Sequence, residues 1–246
     1  MHKRMGDIVR PDRALSHDIL KEVMMMLDEE WDRIQERKKL NLALEGMFYL
    51  VGFTLALRGE EIPLTELRGI IKHWDQAQRH SKPHVVIALL GRFKNELGEC
   101  YHLMPVLDTT PRGLEPGKWV GRVITEYRKR GVNSGYVFRN PNGTKMRAKE
   151  MEEKFYERLE SVKIKRADLI EANLEVSEEY GVSRSFRRGG TSEATNKGAP
   201  PGVVELNGRW RKSNQSGARK PNITIREHYV DIRLVLDQLL EFSKYL

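Results

Sequence analysis

Apolar positions recur at helical spacing almost from the start of the chain. After Ser16, whose hydroxyl suits a helix N-cap, Ile19, Leu20, Val23, Met26, Leu27, Trp31 and Ile34 fall on one face of a predicted amphipathic helix. The run Met24, Met25 and Met26 reads as core filler, because the thioether chain fits irregular gaps. Residues 41–57 are apolar all round, which predicts a central, buried helix. Gly59 and Pro63 break it within Arg58-Gly59-Glu60-Glu61-Ile62-Pro63. Arg58 and Glu61, charges at the end of a buried helix, must pair with each other or face a ligand.

The pattern then changes period. Residues 85–90 are an unbroken apolar run, residues 100–107 a second, and the stretch between them is rich in turn formers. A hairpin is predicted, with Lys94 near its tip; a lysine there is ordinarily solvated or guards a strand edge. Residues 109–117 read as a loop, 118–130 as a helix, and Tyr136-Val137-Phe138 as a short extended piece. Asn140-Pro141-Asn142-Gly143 is a turn signal. Residues 149–162 form an amphipathic helix with Met151, Phe155, Leu159 and Val162 on one face. Residues 163–182 are mixed and predict no element. A helix start follows Arg184, a short helix covers 203–206, and residues 211–222 read as an exposed basic loop. The last amphipathic helix carries Val230, Leu234, Leu236, Leu239, Leu240 and Phe242. The sum is a mostly α protein with a small antiparallel β-sheet (α+β), without internal repeats.

Composition narrows the partners. The 246 residues hold 43 Lys and Arg against 35 Asp and Glu, a net charge of +8, which favours a polyanion. Hydrophobic content of 39% with 32% charged residues fits a globular chain rather than a disordered one. The single cysteine, Cys100, excludes an internal disulfide and suits a reducing compartment. The most apolar run, residues 47–57, is too short for a bilayer, and Met1-His2-Lys3-Arg4 lacks the apolar core of a secretory signal. The expectation is an intracellular protein without membrane contact, nuclear in a eukaryote and otherwise cytoplasmic. His73, His80 and His84 are loosely spaced and read as surface histidines outside any metal template, and no acidic cluster suits a two-metal nuclease. No cofactor or metal is expected. Trp31, Trp74 and Trp119 read as core or interface.

One stretch concentrates candidate chemistry: Arg184-Ser185-Phe186-Arg187-Arg188-Gly189-Gly190. Three guanidiniums so close repel unless an anion sits opposite, and Arg184 and Arg187 lie one helical turn apart. Guanidinium is a fork that matches two phosphate oxygens at once. Taken alone the stretch would be a solvated basic patch.

With Ala56-Leu57-Arg58-Gly59-Glu60-Glu61-Ile62, Gly91-Arg92-Phe93-Lys94, Asn207-Gly208-Arg209-Trp210 and Glu227-His228-Tyr229 in the same order, the chain resembles the catalytic domain of the tyrosine recombinases, and is similar to type IB topoisomerases. The Phe-Arg-Arg-Gly-Gly wording is closest to eukaryotic mobile-element recombinases of the Crypton and DIRS kind. The resemblance covers residues 15–246, leaves residues 1–14 as an N-terminal extension, and includes no separate DNA-clamping domain. It implies site-specific cleavage and rejoining of double-stranded DNA, without metal or ATP, and self-association on DNA from dimer to tetramer. By resemblance Tyr229 is the nucleophile, Arg58 and Arg187 clamp the nonbridging oxygens, Lys94 is the general acid, and Trp210 donates its indole N–H. Glu61 then holds Arg58 in register. Arg184 stands where the family has His and cannot act as a base, which passes that role to His228 or water. Arg92, Arg188, Arg209, Arg211, Lys212, Arg219 and Lys220 are the expected DNA contacts. The step of 19 residues from Trp210 to Tyr229 exceeds the family's, and keeps Tyr180 and Tyr245 as alternative nucleophiles. The other readings are a catalytically impaired DNA-binding protein on the same fold, a topoisomerase-like enzyme, and a basic protein whose partner is RNA or protein.

Overall fold

Helix α2, Lys39–Thr54, is the element on which most of the molecule packs. Its residues from Met47 to Phe53 are essentially inaccessible, as the uninterrupted apolar run requires. The computed structural model describes residues 13–92, 99–208 and 232–246. Around α2 lie α1 (His17–Arg33), α4 (Pro116–Lys129) and α7 (Ser185–Asn196). Among the described residues the other α-helices are α3 (Leu67–Gln78), α5 (Glu152–Lys165), α6 (Val176–Glu179), α8 (Pro201–Gly208) and α9 (Ile232–Leu240). Strands β1 (His84–Arg92) and β2 (Glu99–Leu107) pair antiparallel in the register His84 to Leu107 through Arg92 to Glu99. The molecule is thus mostly helical with a two-stranded antiparallel sheet, and one buried cluster runs from Leu15 to Leu246.

The local reasons are plain in most elements. Ser16 caps α1 by accepting the Ile19 amide at 3.2 Å, and Pro116 sits in the first turn of α4, where its missing N–H costs nothing. That turn corrects the expected loop, which ran through Pro116 and Gly117. The periodicity of α1 also corrects the methionine run: Met24 and Met26 are buried, whereas Met25 points outward and is half exposed. A helix, α3, occupies residues for which the sequence predicted none; Leu67, Ile70, Ile71 and Trp74 are its inner face. Residues 163–182 likewise contain the end of α5 and all of α6.

Two features place α7. Phe186 is fully buried in an aromatic cluster, stacked on Tyr49 at 5.7 Å and tilted against Phe155 at 4.9 Å. Gly189 and Gly190 face the backbone at Leu15 and Phe53, so close that a Cβ on either would approach a carbonyl oxygen within 3.0 Å. The buried charge on α2 is also accounted for: Glu45 accepts from Arg158 Nε at 2.7 Å and Nη2 at 3.2 Å, and from the Tyr49 hydroxyl at 3.2 Å.

His17, only 2% exposed, has an edge-on contact with Phe53, and its Nε2 finds no hydrogen-bond partner among the described residues. Burial, reinforced by the nearby Arg112 guanidinium, holds its pKa below the ordinary 6.5. His73 and His84 are lowered as well, mainly by burial. A lowered histidine binds fewer protons when folded than when unfolded, so its stabilisation is complete above about pH 6.5 and falls away as pH drops toward the folded value. The midpoint of urea unfolding is therefore expected to fall between pH 7.5 and pH 5.5, and His17→Gln to flatten that slope. An identical slope in the variant would refute the assignment to His17.

Candidate functional site

The end of α2 is built to present two arginines. Ala56 takes φ 47°, the left-handed conformation that side chains disfavour, and is the only such non-glycine among the described residues. The turn lets the Leu57 amide return to the Gly52 carbonyl at 2.9 Å and the Ala56 amide to Phe53 at 3.1 Å, closing the helix. The Ala56 carbonyl then accepts from Arg187 Nη1 at 3.2 Å. Strain of order 1–2 kcal/mol in that turn is offset by satisfying both the helix end and a buried guanidinium.

Arg58 follows as the cap of a 3-10 turn, Gly59–Leu64. Glu61, 6% exposed, accepts the Arg58 amide on Oε2 at 2.9 Å and the Arg58 Nη1 on Oε1 at 3.0 Å. The same Oε2 lies 3.7 Å from Arg187 Nη1. One buried carboxylate therefore serves two guanidiniums from distant parts of the chain. Their side chains differ in access: Arg58 is 37% exposed and Arg187 10%. Two guanidiniums thus share one buried carboxylate, with Arg58 the more open of the two to solvent.

Gly59 ties the two stretches at the backbone level. Its amide donates to the Ser183 carbonyl at 3.1 Å, and a Cβ there would meet the Val182 carbonyl oxygen at 2.5 Å. Only glycine lets the turn approach the segment leading into α7 so closely. Arg184 is the residue preceding α7 and is exposed, Arg187 is buried one turn later, and Arg188 is exposed. Arg184 and Arg187 thus share a helix start but not an environment.

Of the residues expected from sequence, the structure brings together Arg58, Glu61 and Arg187, with Arg184 and Arg188 beside them in sequence. Arg92 ends β1, opposite Glu99. Lys94, Arg209, Trp210, Arg211, Lys212, Arg219, Lys220, His228 and Tyr229 lie outside the described residues. The alternative nucleophiles are engaged elsewhere: Tyr180 is 3% exposed with Arg13 over its ring, and the Tyr245 hydroxyl donates to Glu241 at 3.4 Å. The Ala56 carbonyl and Gly59 are the site's unforeseen parts. Gly59 had been visible only as a helix breaker, and nothing in the sequence announces the positive φ of Ala56.

His84 corrects a further expectation. It is 5% exposed rather than a surface residue, and with His73 and His80 it lines a cavity between α3, β1 and α9. Among the described residues no three His, Cys, Asp or Glu side chains are grouped to hold a metal ion, and no helix is long and apolar enough to cross a membrane. Neither a protein-family model nor a curated protein matches the chain.

Proposed function

We propose that the protein breaks and rejoins strands of duplex DNA through a covalent 3′-phosphotyrosyl intermediate, on a core like that of the tyrosine recombinases, in the service of a mobile element. The observation that carries this reading is the pair Arg58 and Arg187 on the single carboxylate of Glu61. Breaking a phosphodiester creates charge on the nonbridging oxygens, and prepositioned guanidiniums stabilise it without reorganising. The Tyr229 oxygen would form a bond to phosphorus as the bond to the 5′ oxygen breaks. Lys94 would supply the proton to that leaving oxygen, and His228 or water would take the phenolic proton. Trp210 would add an indole N–H to a nonbridging oxygen. The linkage energy stays in the phosphotyrosyl ester, so rejoining consumes no ATP. Phosphate contacts from Arg92, Arg188, Arg209, Arg211, Lys212, Arg219 and Lys220 would give affinity that weakens steeply with salt, and copies would associate on DNA.

The test is a duplex nicked beside the scissile phosphate, so that the short 5′-hydroxyl fragment diffuses away and the adduct is trapped. A covalent complex should accumulate with wild type and be absent with Tyr229→Phe, and peptide mapping should find the modified residue at 229. A second reading, a DNA-binding protein without cleavage, is favoured by one observation: Arg184, always charged and exposed, stands where a base would be needed. It predicts a gel shift with no adduct. Relaxation of supercoiled plasmid without a defined site would instead mark a topoisomerase-like activity.

A further inference from the structure

A cavity of about 250 Å³ lies away from the arginine pair, lined by His73, Gln76 and Ala77 of α3, His80 just beyond it, His84 and Val86 of β1, and Leu236 of α9. We propose that it is a nucleobase-binding site, taking the planar ring of a free nucleotide or of a base turned out of a nucleic-acid strand. The inference does not rest on strand cleavage, since none of its residues belongs to that site.

The size comes first. Drug-sized ligands occupy roughly 300–1,000 Å³, so this cavity suits one ring system. Ala77, Val86 and Leu236 give apolar walls, and imidazoles give flat faces for stacking. The polar edges offer both acceptors and donors. His84 Nδ1 lies 2.9 Å from the Lys82 carbonyl and must donate to it, which leaves Nε2 an acceptor. His80 Nδ1 accepts from the Lys82 amide at 3.1 Å and also lies 3.3 Å from the Lys82 carbonyl, so the ring fits either tautomer and its Nε2 can donate or accept. The two rings stand edge to face at 5.3 Å. Gln76 adds a carboxamide, donor and acceptor side by side, the group that reads a base edge through paired hydrogen bonds.

Other ligand classes fit less well. The same side chains surround a volume and do not converge as a metal set, as the absence of any such grouping among the described residues shows. An inorganic anion is disfavoured because burial keeps His73 and His84 neutral near pH 7, and because α3 ends at Gln78, its carbonyl end facing this region. The surrounding charges are largely spoken for. Lys82 pairs with Asp237 at 2.6 Å, and Asp108 accepts from Gln78 at 2.9 Å. Lys72, next to His73 in sequence, is exposed.

The test uses the full chain with histidine-ring NMR signals as the readout. Adenosine, guanosine, cytidine and thymidine monophosphates are titrated separately, then a short single strand and the same strand with abasic positions. Saturable shifts of the His73, His80 and His84 rings with at least one probe are expected, weakened at least tenfold in Gln76→Leu, which keeps the bulk and removes the amide. Gln76 is exposed, so this variant should fold, and an unchanged melting temperature would establish that it does. Shifts with a mononucleotide identify a free ligand; shifts only with the strand, lost at abasic positions, identify a base in nucleic acid. The proposal is overturned if no probe gives saturable shifts, if Gln76→Leu binds as wild type does, or if toluene matches the best nucleotide.

Discussion

Gly190→Ala is expected to destabilise the protein by at least about 3 kcal/mol, enough to lower the melting temperature by about 6–12 °C in a chain of this size. The added methyl would press on the Phe53 carbonyl oxygen, which is backbone in the last turn of the buried helix and cannot turn aside. Overpacking against a flexible side chain can be absorbed by a new rotamer; overpacking against a fixed carbonyl forces two helices apart. Gly189→Ala should behave similarly, because its methyl would meet the Leu15 carbonyl oxygen. Gly202→Ala is the control: nothing lies within 4 Å of a Cβ there and the backbone is not left-handed. It should be neutral or add roughly a few tenths of a kcal/mol, since Gly202 lies in the first turn of α8 and alanine suits a helix better than glycine. Thermal or urea unfolding of the three variants checks this, and a Gly190→Ala protein as stable as Gly202→Ala would remove α7 from its described place.

Glu61→Ala is the second large effect, and it reports on the site as well as the fold. Removing the carboxylate takes the acceptor from the Arg58 amide and a shared counter-charge from two guanidiniums. Breaking an ion pair buried on one side costs about 3 kcal/mol, at the low end of the range for buried pairs because Arg58 is partly solvated. Glu61→Gln keeps an acceptor oxygen but not the charge, so it should fall between Ala and wild type. If the proposed cleavage holds, the rate of adduct formation on the nicked duplex should drop about 10²-fold in Glu61→Ala, the cost of misplacing a group that would meet the reacting phosphate. Arg58→Ala combined with Glu61→Ala should lose less stability than the two single losses added together, because the pair acts as one unit. Strict additivity in that cycle would argue against the contact.

The legible parts of the fold are those where one period persists long enough to be unambiguous. The α1 stripe and the all-apolar α2 fall within a few residues of their expected places, and so does the hairpin. Helix α3 shows what was overlooked. Its apolar face is spaced at Leu67, Ile70, Ile71 and Trp74, but Lys72, His73 and Asp75 between them make the stretch read as polar. At the site, Arg58 with Glu61 was readable because charges beside a buried helix need partners. Their union with Arg187 was foreseen only through resemblance, since it depends on how α7 lies across α2. The turn at Ala56 was not readable at all. Its left-handed backbone is imposed by the helix end and the Arg187 bond, and alanine gives no hint of it.

The amide of Gly59, anchored on the Ser183 carbonyl, has a consequence for recognition. The loops that bear the two arginines are stitched to each other before any ligand arrives. On the proposed reading, an incoming phosphate would meet loops already tied together and be spared part of the entropy of ordering them. Capture would then be expected to follow diffusion and ionic strength rather than a closing motion.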